Sequence, residues 1–375
     1  MTGGKKLAIA LIGVALIVLG GVIFVIAMAV NGWNFNTLSN VEYNRQNIVY
    51  SDQSIITSAS SLEFDFYTVD TEVTFHDGEN IEIEYYQTVR KRNGEAVTRL
   101  ETVCEGGRLK FEERKSVLGE ISIVSSNPPT TKIKIPKSMA CSLSVETNTG
   151  SITFGKANEE IVVTGNLDLS SDTGEITLPS NLTVNGDFEI SEDTGKISIS
   201  GKINCQGELS IETDTGKTEI SGDITAKQIE IEGDTGSVIA SGNLTVTTGV
   251  SIEVDTGRIE ISGNITASTN FAISSIIRFK SSTGKQIIKG NITASSVTFL
   301  SSTGDIDSSA VITASQISAT AGTGDITLKL QGKKEDYSIT VETSTGDKNI
   351  SNSSGGSIVL NIRTRTGDIS VSFTE

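Results

Sequence analysis

The chain has 375 residues, of which 46 are acidic and 30 basic, and a formal net charge of −16. That balance repels nucleic acid and anionic membrane surfaces and excludes binding to either as a main function. One histidine and three cysteines exclude a transition-metal centre, a disulfide framework and any Ser–His or Cys–His pairing beyond His76.

Residues 1–6 contain Lys5 and Lys6, and Leu7 to Val30 is then a run of 24 residues without a charge. At 1.5 Å per residue this covers roughly 36 Å, enough for one transmembrane helix. The lysines before it place residues 1–6 in the cytoplasm and residues 31–375 outside. Trp33 and Phe35 fall where interfacial aromatics belong. Ala27-Met28-Ala29 offers a signal-peptide cleavage site as the competing reading, but the apolar run is longer than such a segment needs. The expected location is the cell membrane, single-pass, with the bulk of the chain extracytoplasmic. Residues 31–60 are polar and read as a membrane-proximal spacer.

Residues 61–140 alternate apolar and polar side chains at Leu62/Phe64/Phe66, Val73/Phe75, Ile81/Ile83/Tyr85, Leu109/Phe111 and Ile133/Ile135. Period two predicts strands. Asn93-Gly94 marks a hairpin turn, and Arg90, Lys91, Arg92 and Arg99 around it read as a solvated tip. This region is expected to be a β-rich cap on the repeats that begin at residue 141, because the end of a strand stack exposes unpaired edges. Cys104 and Cys141 are left open as a disulfide pair.

From residue 141 to 375 a Thr-Gly pair recurs, with glycines at 150, 174, 195, 216, 236, 257, 284, 304, 324, 346 and 367, at intervals of 20 to 27 residues. A period in this range is the mark of a solenoid. Apolar pairs follow each glycine at +2/+4 and +8/+10 and precede the next at −7/−5, as in Ile197/Ile199, Ile203/Cys205 and Leu209/Ile211. These are three short strands per coil, each with one face inward. The corners are the Thr-Gly turn, a Ser-Gly-Asn or Ser-Gly-Asp turn (Gly201, Gly222, Gly242, Gly263) and a less regular third. The predicted fold is all-β: a parallel β-helix of about 20–22 residues per coil, right-handed by the general rule for parallel crossovers.

Three further blocks carry a resemblance. Trp33 to Ser39 reads W-N-F-N-T-L-S, Ser61 to Phe75 reads S-L-E-F-D-F-Y-T-V-D-T-E-V-T-F, and Thr131 to Pro136 reads T-K-I-K-I-P ahead of serial T-G-x-I turns. In this order they resemble the bacterial membrane-anchored putative adhesin family, a domain-of-unknown-function family of β-strand repeats. The resemblance covers nearly the whole chain from about residue 5. It implies a cell-envelope β-solenoid and brings no catalytic residues with it.

Asp-Thr-Gly, the aspartic protease signature, occurs at Asp172, Asp193, Asp214, Asp234 and Asp255. A protease needs two carboxylates sharing one proton in a cleft, whereas these copies stand one coil apart at a corner. Asp193, Asp214, Asp234 and Asp255, with Glu212, Glu232 and Glu253, are instead the candidate Ca²⁺ ligands, because stacked carboxylates repel and oxygen-rich sites suit that ion. The bland alternative is a solvated acidic ridge. Asn181, Asn243, Asn264, Asn291, Asn349 and Asn352 open Asn-x-Ser/Thr sequons; the first four occupy a corner position and read as turn residues. No catalytic residue and no bound cofactor is expected. The reading is a non-enzymatic cell-surface protein whose partner is an envelope protein or glycan. A regulatory or structural envelope component bound to another membrane protein and a β-helix carbohydrate-active enzyme are the alternatives.

Overall fold

The computed structural model describes residues 40–115, 129–268 and 275–374. The membrane helix expected at Leu7–Val30 lies outside the described residues, as do residues 1–6 and 31–39. Among the described residues no helix is long and apolar enough to cross a membrane. The remainder of the expected spacer is structured, with a strand at Val41–Tyr50 and a one-turn helix at Gln53–Ile56 whose N-terminus is capped by the Asp52 carboxylate accepting from Ser54 N.

The chain divides into two compact units. In the smaller, which includes residues 40–46 and 86–99, the chain reverses at Asn93-Gly94. Gly94 has φ +69°, and its amide donates to Arg90 O at 2.8 Å. Val97 N donates to Thr88 O at 2.8 Å, and Val89 bridges Ala96 antiparallel. Lys91, Arg92 and Arg99 are exposed, as a solvated tip requires. Arg90 is not: it is buried, with its Nε 3.8 Å from Glu95 Oε2.

The larger unit is built on registry. Thr173, Thr194, Thr215, Thr235 and Thr256 stand opposite one another on successive parallel strands, as do Gly174, Gly195, Gly216, Gly236 and Gly257. The column continues through Thr283, Thr303 and Thr323. A second column runs Ile161, Leu182, Ile203, Ile224, Leu244, Ile265, Ile292. A third runs Leu143, Leu167, Phe188, Leu209, Ile229, Val250, Ile277, Val297. The apolar positions predicted to face inward are buried throughout these coils. Each such Ile or Leu contributes roughly 1.5–3 kcal/mol by leaving water, and like side chains stack on like because a parallel ladder puts equal positions about 4.8 Å apart. Phe279 on Phe299, ring centroids 5.3 Å apart and ring planes nearly parallel, is one such step.

Both ends depart from simple chain order. Ser61–Phe66 pairs in parallel with Ser142–Thr149 on one side and Arg108–Lys115 on the other. Thr71–His76 likewise lies between Ile152–Phe154 and Thr131–Pro136. Strands of the expected 61–140 cap are thus layers of the same stack, and residues 61–76 form a coil without the Thr-Gly mark: Val69-Asp70 occupies its corner, and Ser151 N donates to Asp70 Oδ1 at 2.8 Å. The outward side of Thr131–Pro136 is closed by an antiparallel pairing with Glu82–Glu84.

At the other end the last two coils change places. Ile358–Thr366 pairs with both Gln316–Thr323 and Tyr337–Thr345, so Thr366 sits between Thr323 and Thr345. The outermost strand is therefore Tyr337–Thr345, and the chain immediately after it folds back to seal its edge. Ile339 and Ser353 exchange backbone hydrogen bonds at 2.9 and 3.0 Å, Val341 N donates to Asn352 Oδ1 at 2.7 Å, and Lys348 Nζ donates to Val341 O at 3.2 Å. A strand edge occupied in this way offers no template for a second chain.

The three cysteines are free thiols, so the expected option of a Cys104–Cys141 bridge is not realised. Tyr50 Oη lies 3.3 Å from Cys104 Sγ, and burial pushes the Cys141 thiol up to about 11.

Candidate functional site: the acidic coils and their corners

Where a strand bends into a corner its amide no longer points at the next layer, yet it must still be paired. Each corner shows one solution, in which a short side-chain oxygen accepts the amide of the equivalent residue one coil on. In the coils from Gly174 to Gly257, by contrast, the strand runs unbroken through Thr-Gly and keeps its backbone ladder. At the Thr-Gly corner, Asp305 accepts from Asp325 N (3.1 Å), Asp325 from Asp368 N (2.8 Å) and Asp368 from Asp347 N (2.7 Å). At the second corner the series is Asn181 to Lys202 N, Asp223 to Asn243 N, Asn243 to Asn264 N, Asn264 to Asn291 N and Asn291 to Val311 N, at 2.9 to 3.1 Å. At the third, Asn166 accepts from Asp187 N and Asp187 from Glu208 N. Asp325→Ala should cost about 1 kcal/mol by orphaning the Asp368 amide, and Asp325→Asn, which keeps the acceptor, should not. Paired thermal melts decide this; equal stability of the two variants would remove the ladder from the account.

The acidic positions singled out for Ca²⁺ fall as follows. Glu212, Glu232 and Glu253 are in register on consecutive strands. Glu212 and Glu232 are exposed and Glu253 half-buried. The column ends at Lys280, which forms an ion pair with Glu253. Partial burial first, then the charges of Asp214 and Glu232, raise the Glu212 carboxyl above its usual range. Asp193, Asp214, Asp234 and Asp255 are all exposed at the corner, and Asp255 Oδ1 accepts from Ser282 Oγ at 2.9 Å. Among the described residues no three Asp, Glu, His or Cys side chains converge closely enough to hold a metal ion. The stacking brings the carboxylates into rows and not into a cage.

One acidic residue in these coils departs from these rows. Glu192, next to the exposed Asp193, points inward and is 1% exposed. Its column is Ser171, Glu192, Thr213, Gly233 and Val254, then Ser281, Ser301 and Ala321. Hydroxyls at this position serve buried corner carbonyls. Ser171 Oγ donates to Gly150 O (3.0 Å), Ser301 Oγ to Gly304 O (2.9 Å), Thr364 Oγ1 to Gly324 O (3.1 Å) and Thr343 Oγ1 to Gly367 O (3.1 Å). Thr213 Oγ1 instead meets the inward Thr218 Oγ1 at 3.1 Å. Neither Glu192 oxygen makes a well-formed hydrogen bond. Burial pushes its carboxyl up to about 7, the nearby Gly174 and Thr194 amides opposing and Asp193 and Asp214 adding to the rise. The signal is present in the sequence: Ile190 is inward, so period two turns Glu192 inward as well.

A shallow groove of about 400 Å³ crosses the second face, lined by Glu160, Asn181, Thr183, Lys202, Asn204, Asp223 and Thr225. Its two carboxylates are three layers apart, roughly 14 Å at the parallel-strand spacing. Glycosidic chemistry uses pairs within about 5 to 9.5 Å. Asp223 is in addition engaged by the Asn243 backbone and side-chain amides, which hold its carboxyl below the usual range. The Nε2 of His76, the one histidine, lies 2.9 Å from Asn80 O.

Several solved structures resemble the chain. A putative cell adhesion protein from Clostridium sporogenes is 11% identical, with 89% of this chain and 100% of that one covered, at a TM-score of 0.22. A putative adhesin from Bacteroides fragilis is 13% identical over 88% and 97%, at 0.29. A putative lipid binding protein from Parabacteroides distasonis is 17% identical over 90% and 98%, at 0.30. No curated protein matches the chain. Residues 59–276, more than half of the chain and including the unmarked first coil, match the family described as Toastrack DUF4097, and the chain belongs to that family.

Proposed function

We propose that the protein is a non-enzymatic, membrane-anchored surface protein whose coil stack presents binding faces to an envelope protein or glycan outside the cell. The observation that carries this is the use of the polar groups. The side-chain oxygens of the corner Asn and Asp are engaged by the amide ladders, and the remaining carboxylates stand in rows along the strands. That arrangement suits a scaffold with repeated faces better than one reaction centre. The charge-free run Leu7–Val30 supplies the anchor.

Protease applied to intact cells making the full chain should remove a C-terminal epitope and leave a small membrane-embedded fragment containing Leu7–Val30. Protection of the epitope until lysis would sink the extracytoplasmic reading. Cells lacking the protein should bind purified envelope polymers or a partner protein less well than cells making it. Release of reducing sugar from those polymers by the purified full-length protein would instead establish the enzyme alternative. The acidic rows are read as solvated: about 10 mM calcium, ample for extracellular oxygen sites, should not raise Tm at fixed ionic strength. A rise that disappears when Asp193, Asp214, Asp234 and Asp255 are all changed to Ser would restore them as ligands.

A further inference from the structure

The second-corner asparagines use one end of the amide and leave the other. Asn264 Oδ1 accepts Asn291 N at 2.9 Å, and Asn291 Oδ1 accepts Val311 N at 3.1 Å. Among the described residues neither Nδ2 donates to an acceptor in the chain, and both asparagines are exposed. Two residues on, Thr266 and Thr293 rise from the same side of the strand, because positions i and i+2 share a face. Ile265 and Ile292 between them are fully buried. Each Asn-Ile-Thr sequon thus presents its amide nitrogen and its hydroxyl together to solvent.

The other sequons differ in ways the sequence does not reveal. Asn181 Nδ2 is held by Glu160 Oε1 at 2.6 Å, and Asn243 Nδ2 by Asp223 Oδ1 at 3.0 Å. Asn349 is clamped at both ends, donating to Val371 O and accepting from Val371 N, each at 2.9 Å. Asn352 is exposed and, among the described residues, also uses only its Oδ1, taken by Val341 N. It and Ser354, however, lie outside any strand on the segment that seals the edge, pinned between them by Ser353 Oγ donating to Tyr337 O at 3.1 Å.

We infer that the pair Asn264 and Asn291 is an N-glycosylation site that carries one saccharide per chain. The inference rests on the extracytoplasmic location proposed for the coils. The co-reactant is a saccharide linked to a polyprenyl diphosphate, used by a membrane transferase. Nδ2 forms a bond to the anomeric carbon, the bond from that carbon to the diphosphate oxygen breaks, and the amide proton leaves to a base of the transferase. The product keeps the Oδ1 acceptor, so the corner ladder survives the modification. The two asparagines are one layer apart, about 4.8 Å, narrower than two pyranose rings side by side. Occupation of one therefore blocks the other.

The test is peptide and intact-mass spectrometry of the full chain purified from its own host's membranes. The expected result is a single saccharide mass on the Asn264 or the Asn291 peptide, never both on one chain, with the Asn181, Asn243 and Asn349 peptides unmodified. Thr266→Val with Thr293→Val should abolish it, and Thr266→Ser with Thr293→Ser should keep it. Both pairs leave the asparagines and the β-ladder intact, since valine and serine fit an outward strand position, exposed at Thr266 and half-buried at Thr293. Unmodified Asn264 and Asn291 peptides, or a saccharide on Asn349 or retained in the valine pair, overturn the assignment. Protease shaving of the same cells separates the two failures. An accessible C-terminal epitope with unmodified peptides sinks the glycan alone, and a protected epitope sinks the location with it.

Discussion

Gly257→Ala should lower the melting temperature by roughly 10 °C or prevent folding, a loss of about 4 kcal/mol or more for a residue that is only one hydrogen atom replaced by a methyl group. The added Cβ would lie 1.4 Å from the carbonyl oxygen of Gly236, and the residue's φ of +149° is one that side chains avoid. Relief by local movement is blocked on both sides. A Cβ on Gly236 would meet Gly216 O at 1.5 Å, and one on Gly284 would meet Gly257 O at 1.5 Å, so the corner backbones are in contact along the whole column. The control is Gly233→Ala. There the nearest atoms are Thr213 O at 3.7 Å and Val254 Cγ2 at 3.9 Å, with no left-handed backbone. Its expected effect is neutral or a gain of about 0.5–1 kcal/mol from a less flexible unfolded chain. Equal melting temperatures for the two variants would show that the recurring glycine is not there for close approach.

That column explains how much of the fold was legible. The Thr-Gly recurrence is readable because one backbone contact is remade in every coil and only glycine fits it. The inward Ile and Leu positions are readable because period two survives each corner. What stayed hidden is set by pairing between distant segments, for which the sequence has no marker. Residues 61–76 form a coil whose corner is Val69-Asp70, so a search for Thr-Gly passes over it. The exchange of the last two coils leaves the spacing of Gly324, Gly346 and Gly367 unchanged, because both orders use coils of similar length. Of the site, the acidic residues were legible by type and mostly by face. The corner function of the asparagines was legible in kind, but their individual hydrogen bonds, which separate Asn291 from Asn349, depend on neighbours 20 or more residues away.

Glu192→Thr should stabilise the protein, by on the order of 2 kcal/mol at pH 8, a rise in Tm of roughly 5 °C. Threonine is what Thr213 already is in the same column, and it replaces an inward carboxyl whose two oxygens lack well-formed partners. The gain is expected to depend on pH in a definite direction. The Glu192 carboxyl is raised in the fold from an ordinary 4.5 to about 7, chiefly by burial. The folded state therefore holds a proton that the unfolded state releases between those values, and stability falls as pH rises through that window. Below about pH 4.5 both states are protonated and the advantage of the variant should shrink to its packing component. Glu219 works the other way: Lys196 and Lys217 hold its carboxyl down at about 2, so its exposed pairs are lost as pH falls from about 4.5 towards 2. The summed contribution of these two groups is therefore greatest near pH 4.5 to 5. Glu192→Gln, which keeps the shape and cannot ionise, should flatten the decline between pH 5 and pH 8 as Glu192→Thr does. If the Gln variant and the wild type lose Tm in parallel over that range, Glu192 is already ionised or solvated in the fold, and the inward placement of its carboxyl is wrong.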